Sequence, residues 1–395
     1  MKSKVSYTAF IALSGILLCI SSCTNGSRID TSSKIVQEVS ANFLPDDRID
    51  VFRVRVADRG DRLVVKGETN IRVAKNVLFR KLDSAGISYL DSITVLPASR
   101  VDSTPYALVN ISVANLRKNH KHSAELVTQA LMGTPLKVLD EVNGWYLVKC
   151  PDHYLGWVDD GGVAFYNNDS YEEYKHTEKL IVTRLSGSVY SEKSAQSEPV
   201  SDVVAGDLLT LNGSSGGFFH ISLPDGRTGF LDQNDGMPFN DFLASRHPDG
   251  SALVSTAESM MGIPYLWGGT SAKGMDCSGF TKTVYFMNGL ILPRDADQQA
   301  EEGVTVDSLK KFSTLQPGDL LFFGRKSAGT EGITHVGMWI GHMQFINSSG
   351  MIKIASMDST SEDFDSYNYN RYIKANRITG NDIAGLAIGN NLFKF

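Results

Sequence analysis

The spacing of apolar and polar positions changes character several times along the chain. Over residues 34–100 it alternates between helical and strand-like periods. A short helix is predicted at 34–42, strands near 50–57 and 62–68, a helix at 71–85 and a strand at 91–96, giving a small α+β domain of αββαβ order. Over residues 104–170 the pattern becomes short β segments at 107–113, 134–141, 145–150 and 154–158, rich in β-branched and aromatic residues. Between two of them, Val142-Asn143-Gly144-Trp145 carries the Asn-Gly pair that a type I′ hairpin turn requires. A weaker copy of this texture spans 178–235, and the turn-rich stretch 236–250 reads as a linker. The last domain, 251–395, opens on an amphipathic helix with Leu253, Ala257, Met260 and Met261 at helical spacing. Later come strands at 334–340, 344–348 and 351–355, so the domain is expected to pack helices on a later antiparallel sheet.

The chemistry concentrates in that last domain. Pro264-Tyr265-Leu266-Trp267-Gly268-Gly269 writes a tight loop, and Asp276 then stands as the N-cap of a helix starting at Cys277, with Phe280, Val284, Met287 and Leu290 following in phase. A thiol in a first helical turn meets the positive end of the macrodipole, which favours the thiolate and makes Cys277 a candidate nucleophile. Of eight histidines, seven sit in polar or turn-like contexts. His335 lies in a strand whose Val336, Met338 and Ile340 share one face, leaving His335 and Gly337 on the other with open space beside the imidazole. Asn347, twelve residues on, is symmetric with His335 about Gly341, so a hairpin turning there would place them opposite one another. Asn347 would then hold one ring nitrogen and present the other to the thiol, the nucleophile–base–orienter logic of thiol proteases.

Composition and charge narrow the setting. Met1-Lys2-Ser3-Lys4 followed by apolar residues 9–20 is a leader too short to span a bilayer. Its end, Ile20-Ser21-Ser22-Cys23, resembles a bacterial lipobox, which implies cleavage before Cys23, diacylation of its thiol, and a tether over 23–33. Loss of residues 1–22 removes Lys2 and Lys4 and takes the net charge from −6 to −8, against nucleic acid as a partner. Cys150 and Cys277 then remain, both expected as free thiols, Cys150 in a structural role. Gly213-Ser214-Ser215-Gly216-Gly217 matches G-x-S-x-G without a strand–turn–helix context. His120 and His122 flank Lys121 with no further ligand beside them, so no metal and no cofactor are expected.

Residues 264–269, Asp276-Cys277-Ser278-Gly279-Phe280, Leu292-Pro293-Arg294, Pro317-Gly318-Asp319-Leu320 and His335-Val336-Gly337, taken in order, resemble the NlpC/P60 peptidases, a papain-like α+β fold. Ala114-Asn115-Leu116-Arg117, the strand from Gly144 to Val148, and Gly156-Trp157-Val158 resemble bacterial SH3 domains, with 178–235 as a second. The expected architecture is therefore an NlpC/P60 catalytic domain behind two SH3-like β-barrels and a small N-terminal α+β domain. The resemblance extends to γ-D-glutamyl-L-diamino acid endopeptidases of the dipeptidyl-peptidase VI type, which cut peptidoglycan stem peptides. It implies Cys277 as nucleophile, His335 as general base and Tyr265 beside the oxyanion, with Asp276 and Ser278 on the substrate's N-terminal side. It also implies that Glu125 and Tyr154, from the first SH3-like domain, bind a free N-terminal ammonium. Where the family usually has a third histidine this chain has Asn347. Alternatives at this point are a hydrolase of intact wall, a catalytically silent wall-binding lipoprotein, or a thiol-dependent acyltransferase or amidase on the same fold.

Overall fold

A computed structural model describes residues 19–60, 62–327, 330–378 and 380–395. The expected leader falls outside the described residues up to residue 18, as does the side chain of Cys23. The chain divides into two compact units, one ending at Ala98 and one from Ser99 to Phe395.

The first unit runs α1 (Cys19–Phe43), β1 (Phe52–Asp58), β2 (Leu63–Thr69), α2 (Arg72–Ser84) and β3 (Tyr89–Val95). β1 and β2 are antiparallel, β2 and β3 parallel, and Val39, Leu63, Val65, Leu78 and Leu82 are fully buried between helices and sheet. The residues expected as a tether are instead part of α1. Ile29 already packs against this core, and Ser32, fully buried, donates from Oγ to the Arg28 carbonyl at 2.8 Å, so helical packing begins well before residue 34.

The second unit opens with a seven-stranded sheet made of β4 (Tyr106–Val109), β5 (Val113–Arg117), β6 (Leu126–Leu131), β7 (Pro135–Val142), β8 (Trp145–Lys149), β9 (Leu155–Asp159) and β10 (Val163–Tyr166). Asn143 and Gly144 join β7 to β8 with φ of 53° and 77°, as a type I′ turn demands. After α3 (Asn168–His176) a second seven-stranded sheet contains β11 (Lys179–Val182), β12 (Ser186–Tyr190), β13 (Pro199–Val204), β14 (Leu208–Ser215), β15 (Phe218–Ser222), β16 (Thr228–Asp232) and β17 (Gly236–Pro238).

The orders are β10-β4-β7-β8-β9-β5-β6 and β17-β11-β14-β15-β16-β12-β13, the same permutation in both sheets. Sequence similarity between the two stretches is slight, so the repeat is written in topology. Residues 236–250, expected as a linker, are largely structured: β17 adds to the edge of the second sheet, and α4 (Phe239–Ser245) buries Phe239 and Phe242 in the core of the last domain. Two aromatics three residues apart on a helix face outweigh the turn-forming residues around them.

The last domain contains α5 (Gly250–Ser259), the short pair β18 (Thr270–Ser271) and β19 (Gly274–Met275), α6 (Cys277–Phe286) and α7 (Ala296–Gln299). Its sheet follows with β20 (Val304–Asp307), β21 (Leu320–Ser327), β22 (Thr330–Gly341), β23 (Gln344–Ser349), β24 (Met351–Ser356), α8 (Ser366–Arg371) and β25 (Tyr372–Arg377). The six strands are ordered β20-β25-β21-β22-β23-β24, all antiparallel. Phe280 and Val284 of α6 bury against Val336, Met338 and Ile346. Phe312, Phe323, Trp339 and Phe345 form a second cluster.

Candidate active site

Asp276 is the N-cap of α6: its Oδ1 accepts from the Gly279 N–H at 2.7 Å and its Oδ2 from the Gly268 N–H at 2.9 Å. The same carboxylate meets the guanidinium of Arg294, 1% exposed, at 3.1 and 2.6 Å. Arg294 also donates to Ser278 Oγ at 3.0 Å and, across to the first β domain, to Thr128 Oγ1 at 3.1 Å. Burial alone would lower the guanidinium pKa, but Asp276 more than reverses this, so the ion pair is charged and fully hydrogen-bonded. Asp276 and Ser278 are themselves buried, and their polar atoms are engaged within the protein.

Cys277 begins α6 and is 8% exposed. Burial, and then the Asp276 carboxylate next to it, pushes its thiol up to about 11, while the backbone N–H of Val336 donates to the sulfur and pulls the other way. The thiolate preference expected from the helix N-terminus is therefore outweighed in the resting site. Val336 is the neighbour of His335, so this contact holds the sulfur against the strand that carries the imidazole. Burial also takes His335 down to about 4, only partly countered by its hydrogen bond to Asn347. Both groups are neutral at rest, and the proton has to move as the thiol attacks. Tyr265, 36% exposed, interacts electrostatically with Cys277 and is raised to about 12 by burial, then by Cys277 and Asp276, which keeps it an O–H donor.

Nε2 of His335 lies 3.1 Å from Oδ1 of Asn347. An amide oxygen only accepts, so Nε2 carries the hydrogen and Nδ1 is left for the thiol. The register differs from the symmetric hairpin. Met338 pairs with Ile346 and Gly341 with Gln344, because His342 and Met343 form the turn (φ 53° and 59°) and a bulge lies just before it, between Trp339 and Gly341. In this register Asn347 stands across from Gly337 and reaches His335 diagonally. Nor is the space beside Gly337 open: a Cβ there would lie 2.7 Å from the Phe345 ring and 3.2 Å from Asn347 Cβ. Glycine is needed at 337 so that Asn347 can pass.

The first β domain supplies the opposite wall. Gly268 has φ +78°, and a Cβ on it would lie 2.4 Å from the Leu126 carbonyl oxygen, so only glycine lets the loop 264–269 lie against β6. Thr270 and Ser271 seal the contact through hydrogen bonds to Gln129, each at 3.0 Å. Trp267, 63% exposed, donates from Nε1 to Glu125 Oε1 at 3.1 Å. Tyr154, 6% exposed, donates to Asp295 Oδ2 at 2.9 Å. Both residues expected to reach the site from this domain therefore contact the catalytic domain.

Sequence reasoning gave no role to Arg294, Thr128, Gln299 or Trp267. Gln299, fully buried, accepts from Thr281 Oγ1 at 2.7 Å and donates to the carbonyls of Ser278 and Pro293, which fixes the first turn of α6. The available signal was a charged residue inside the apolar run Leu292-Pro293-Arg294.

The sequence profile of the NlpC/P60 family matches residues 262–375, and that of the bacterial dipeptidyl-peptidase SH3 domain matches 116–162. A γ-D-glutamyl-L-lysine dipeptidyl-peptidase of Bacillus cereus is 31% identical over 232 residues, covering 57% of this chain and 67% of that protein. Dipeptidyl-peptidase 6 of Lysinibacillus sphaericus is 28% identical over 249 residues, covering 62% of this chain and 87% of its own. The crystal structure of an NlpC/P60 family protein from Bacillus cereus superposes with a TM-score of 0.60 at 26% identity, covering 70% of this chain and all of that one.

Proposed function

The chain belongs to the NlpC/P60 family of cysteine peptidases, and we propose that it hydrolyses the bond between γ-D-glutamate and a diamino acid in peptidoglycan stem peptides. The observation that carries this reading is the thiol of Cys277 held by the Val336 N–H beside an imidazole whose Nε2 is occupied by Asn347.

Cys277 Sγ attacks the γ-carbonyl as its proton passes to Nδ1 of His335, giving a tetrahedral oxyanion to which the Tyr265 hydroxyl donates. The C–N bond then breaks, the imidazolium returns the proton to the leaving amine, and an acyl-thioester remains on Cys277. A water molecule, deprotonated by His335, adds to the thioester and releases the acid and the thiol.

Glu125 and Tyr154 mark the N-terminal end of the substrate. Glu125 accepts from the Trp267 indole N–H, its other oxygen forms an exposed ion pair with Lys118 at 3.7 Å that a substrate ammonium can replace, and the Tyr154 hydroxyl beside this end donates to Asp295. Together they suit the ammonium of a free N-terminal L-alanine. A stem still joined to glycan has an amide there, which carries no charge to pair. We read Asp276 and Ser278 as holding the shape of this end through Arg294. The second β domain is read as a diverged copy of the SH3-like first. The leader and Cys23 support export and lipid attachment to the cell envelope.

The test is to incubate the full chain with L-Ala-γ-D-Glu-diaminopimelate and follow the products by mass. Release of the L-Ala-γ-D-Glu dipeptide, lost in Cys277→Ala and in His335→Ala, is expected. Persistence of cleavage in Cys277→Ala overturns the reading.

A further inference from the structure

A cleft of about 760 Å³ lies between β22, β24 and α8, and none of its lining residues comes from the first β domain. Its lining includes Thr334 and His335 together with Lys353, Glu362, Tyr367 and Arg371. The cleft is placed by chemistry as well as by shape. His335 must protonate the leaving amine, so the residue that departs with that amine lies on the side that His335 lines, while the acyl part extends toward Glu125 and Trp267.

The charges in this cleft are unusual for the domain. Arg294 and Arg377 each pair with a buried aspartate. Arg371, half-buried, has no carboxylate partner among the described residues. Its Nη2 contacts Thr334 Oγ1, and its guanidinium lies 4.5 Å from the centroid of the Tyr367 ring. A guanidinium fixed by a hydroxyl and an aromatic face is already positioned, and no carboxylate among the described residues pairs with it directly. Lys353, exposed on β24, likewise has no ion-pair partner among the described residues, nor has Glu362. Asp365 accepts both of its hydrogen bonds from Asn368 as the cap of α8, and Asp363 accepts from Ser361. Asp363 and Asp365 keep their charge, so three carboxylates face two cations here, and neither Arg371 nor Lys353 has a direct ion pair among the described residues.

We propose that this cleft receives the side chain of the leaving diamino acid, and that Arg371, with Lys353, selects one ending in a carboxylate as well as an ammonium. This rests on the peptidase reading above and specifies its leaving group. Diaminopimelate presents both charges: its terminal carboxylate pairs with the guanidinium fork and its terminal ammonium with Glu362. Lysine presents only the ammonium and leaves the guanidinium fork of Arg371 without a carboxylate to pair. Arg371 is thus a specificity-determining residue, and the preference it gives differs from the lysine in the name of the Bacillus cereus relative.

The experiment compares kcat/KM of the full chain on L-Ala-γ-D-Glu-diaminopimelate with the same peptide amidated only at the terminal carboxyl of the diaminopimelate side chain. Both peptides keep the α-carboxyl, so the comparison isolates the charge at issue. Wild type is expected to favour the acid form by roughly tenfold or more, as loss of a charge-assisted pair implies. Arg371→Met should bring that ratio close to one, and Arg371→Lys should give an intermediate ratio. Equal cleavage of both peptides by wild type overturns the proposal. So does an Arg371→Met protein in which both rates fall by one common factor, since Arg371 would then act only by positioning His335 through Thr334. Failure of wild type to cut either peptide overturns the peptidase reading itself, and this inference with it.

Discussion

Nε2 of His335 and Oδ1 of Asn347 are hydrogen-bonded at 3.1 Å across Gly337, a diagonal pair in which a small residue makes room for the orienting one. The amide oxygen fixes which nitrogen carries the hydrogen, while the Asn347 Nδ2 is buried without a hydrogen-bond partner among the described residues. The pair is built for a tautomer and is not optimised for stability, since an unsatisfied buried donor costs about 1–3 kcal/mol.

Replacing Asn347 with Asp puts a negative charge on the imidazole. The charge favours the imidazolium, so the His335 pKa rises and the acid limb of kcat/KM moves to higher pH. Asn347→Ala should leave that limb nearer its original place but lower kcat by about 10- to 100-fold, because the ring is no longer held. The pH profiles of the two variants separate charge from orientation.

Stability should depend on pH through the same ring. The folded value of about 4 lies below the ordinary 6.5, so the folded form resists protonation that the unfolded chain accepts. This contribution to stability is intact above about pH 6.5 and is lost progressively as pH falls toward 4. Cys277 acts at the other end: its raised value, about 11 against 9, makes stability fall as pH rises through that interval. Thermal melts should show a shallower acid slope in His335→Gln than in wild type, and an unchanged slope would contradict the assignment.

The ion pair between Arg294 and Asp276 should be costly to break. Arg294→Met leaves a buried carboxylate without its counter-ion, and a loss of about 3–5 kcal/mol is expected. Asp276→Asn with Arg294→Met should be less destabilising than the sum of the single changes, because neither charge is then stranded. Denaturant titrations of the four proteins check this. Because Arg294 also bonds Thr128, the single variant should loosen the first β domain from the catalytic one, seen as faster proteolysis between them.

Which parts of this were legible beforehand follows from the range of the interactions. The start of α6 was readable because Asp276 caps it locally and Phe280 and Val284 keep helical phase. The turn at Asn143-Gly144 was readable because its residue types dictate the backbone. The hairpin register around Gly341 was not, since His342 and Met343 adopt positive φ and the bulge before them, between Trp339 and Gly341, is set by packing. The helix over residues 24–33 was hidden because the sequence there is mostly polar, while Ile29 packs against the core and Ser32 is fully buried. The thiol pKa ran opposite to expectation because burial and Asp276, a neighbour chosen to cap the helix, outweigh the dipole. Arg294 was invisible as a hub since its partners come from residues 128, 276 and 278.

The central claim is a thiol peptidase whose site accepts only a free amino terminus. It is tested most directly by comparing kcat/KM for L-Ala-γ-D-Glu-diaminopimelate and its N-acetylated form, in wild type, Cys277→Ala and Glu125→Gln. Wild type should cut the free peptide at least roughly tenfold better, as expected when a charged group loses its partner. Glu125→Gln should narrow that ratio, and Cys277→Ala should cut neither peptide. Equal rates on both peptides in wild type, or cleavage that survives loss of Cys277, would contradict the account.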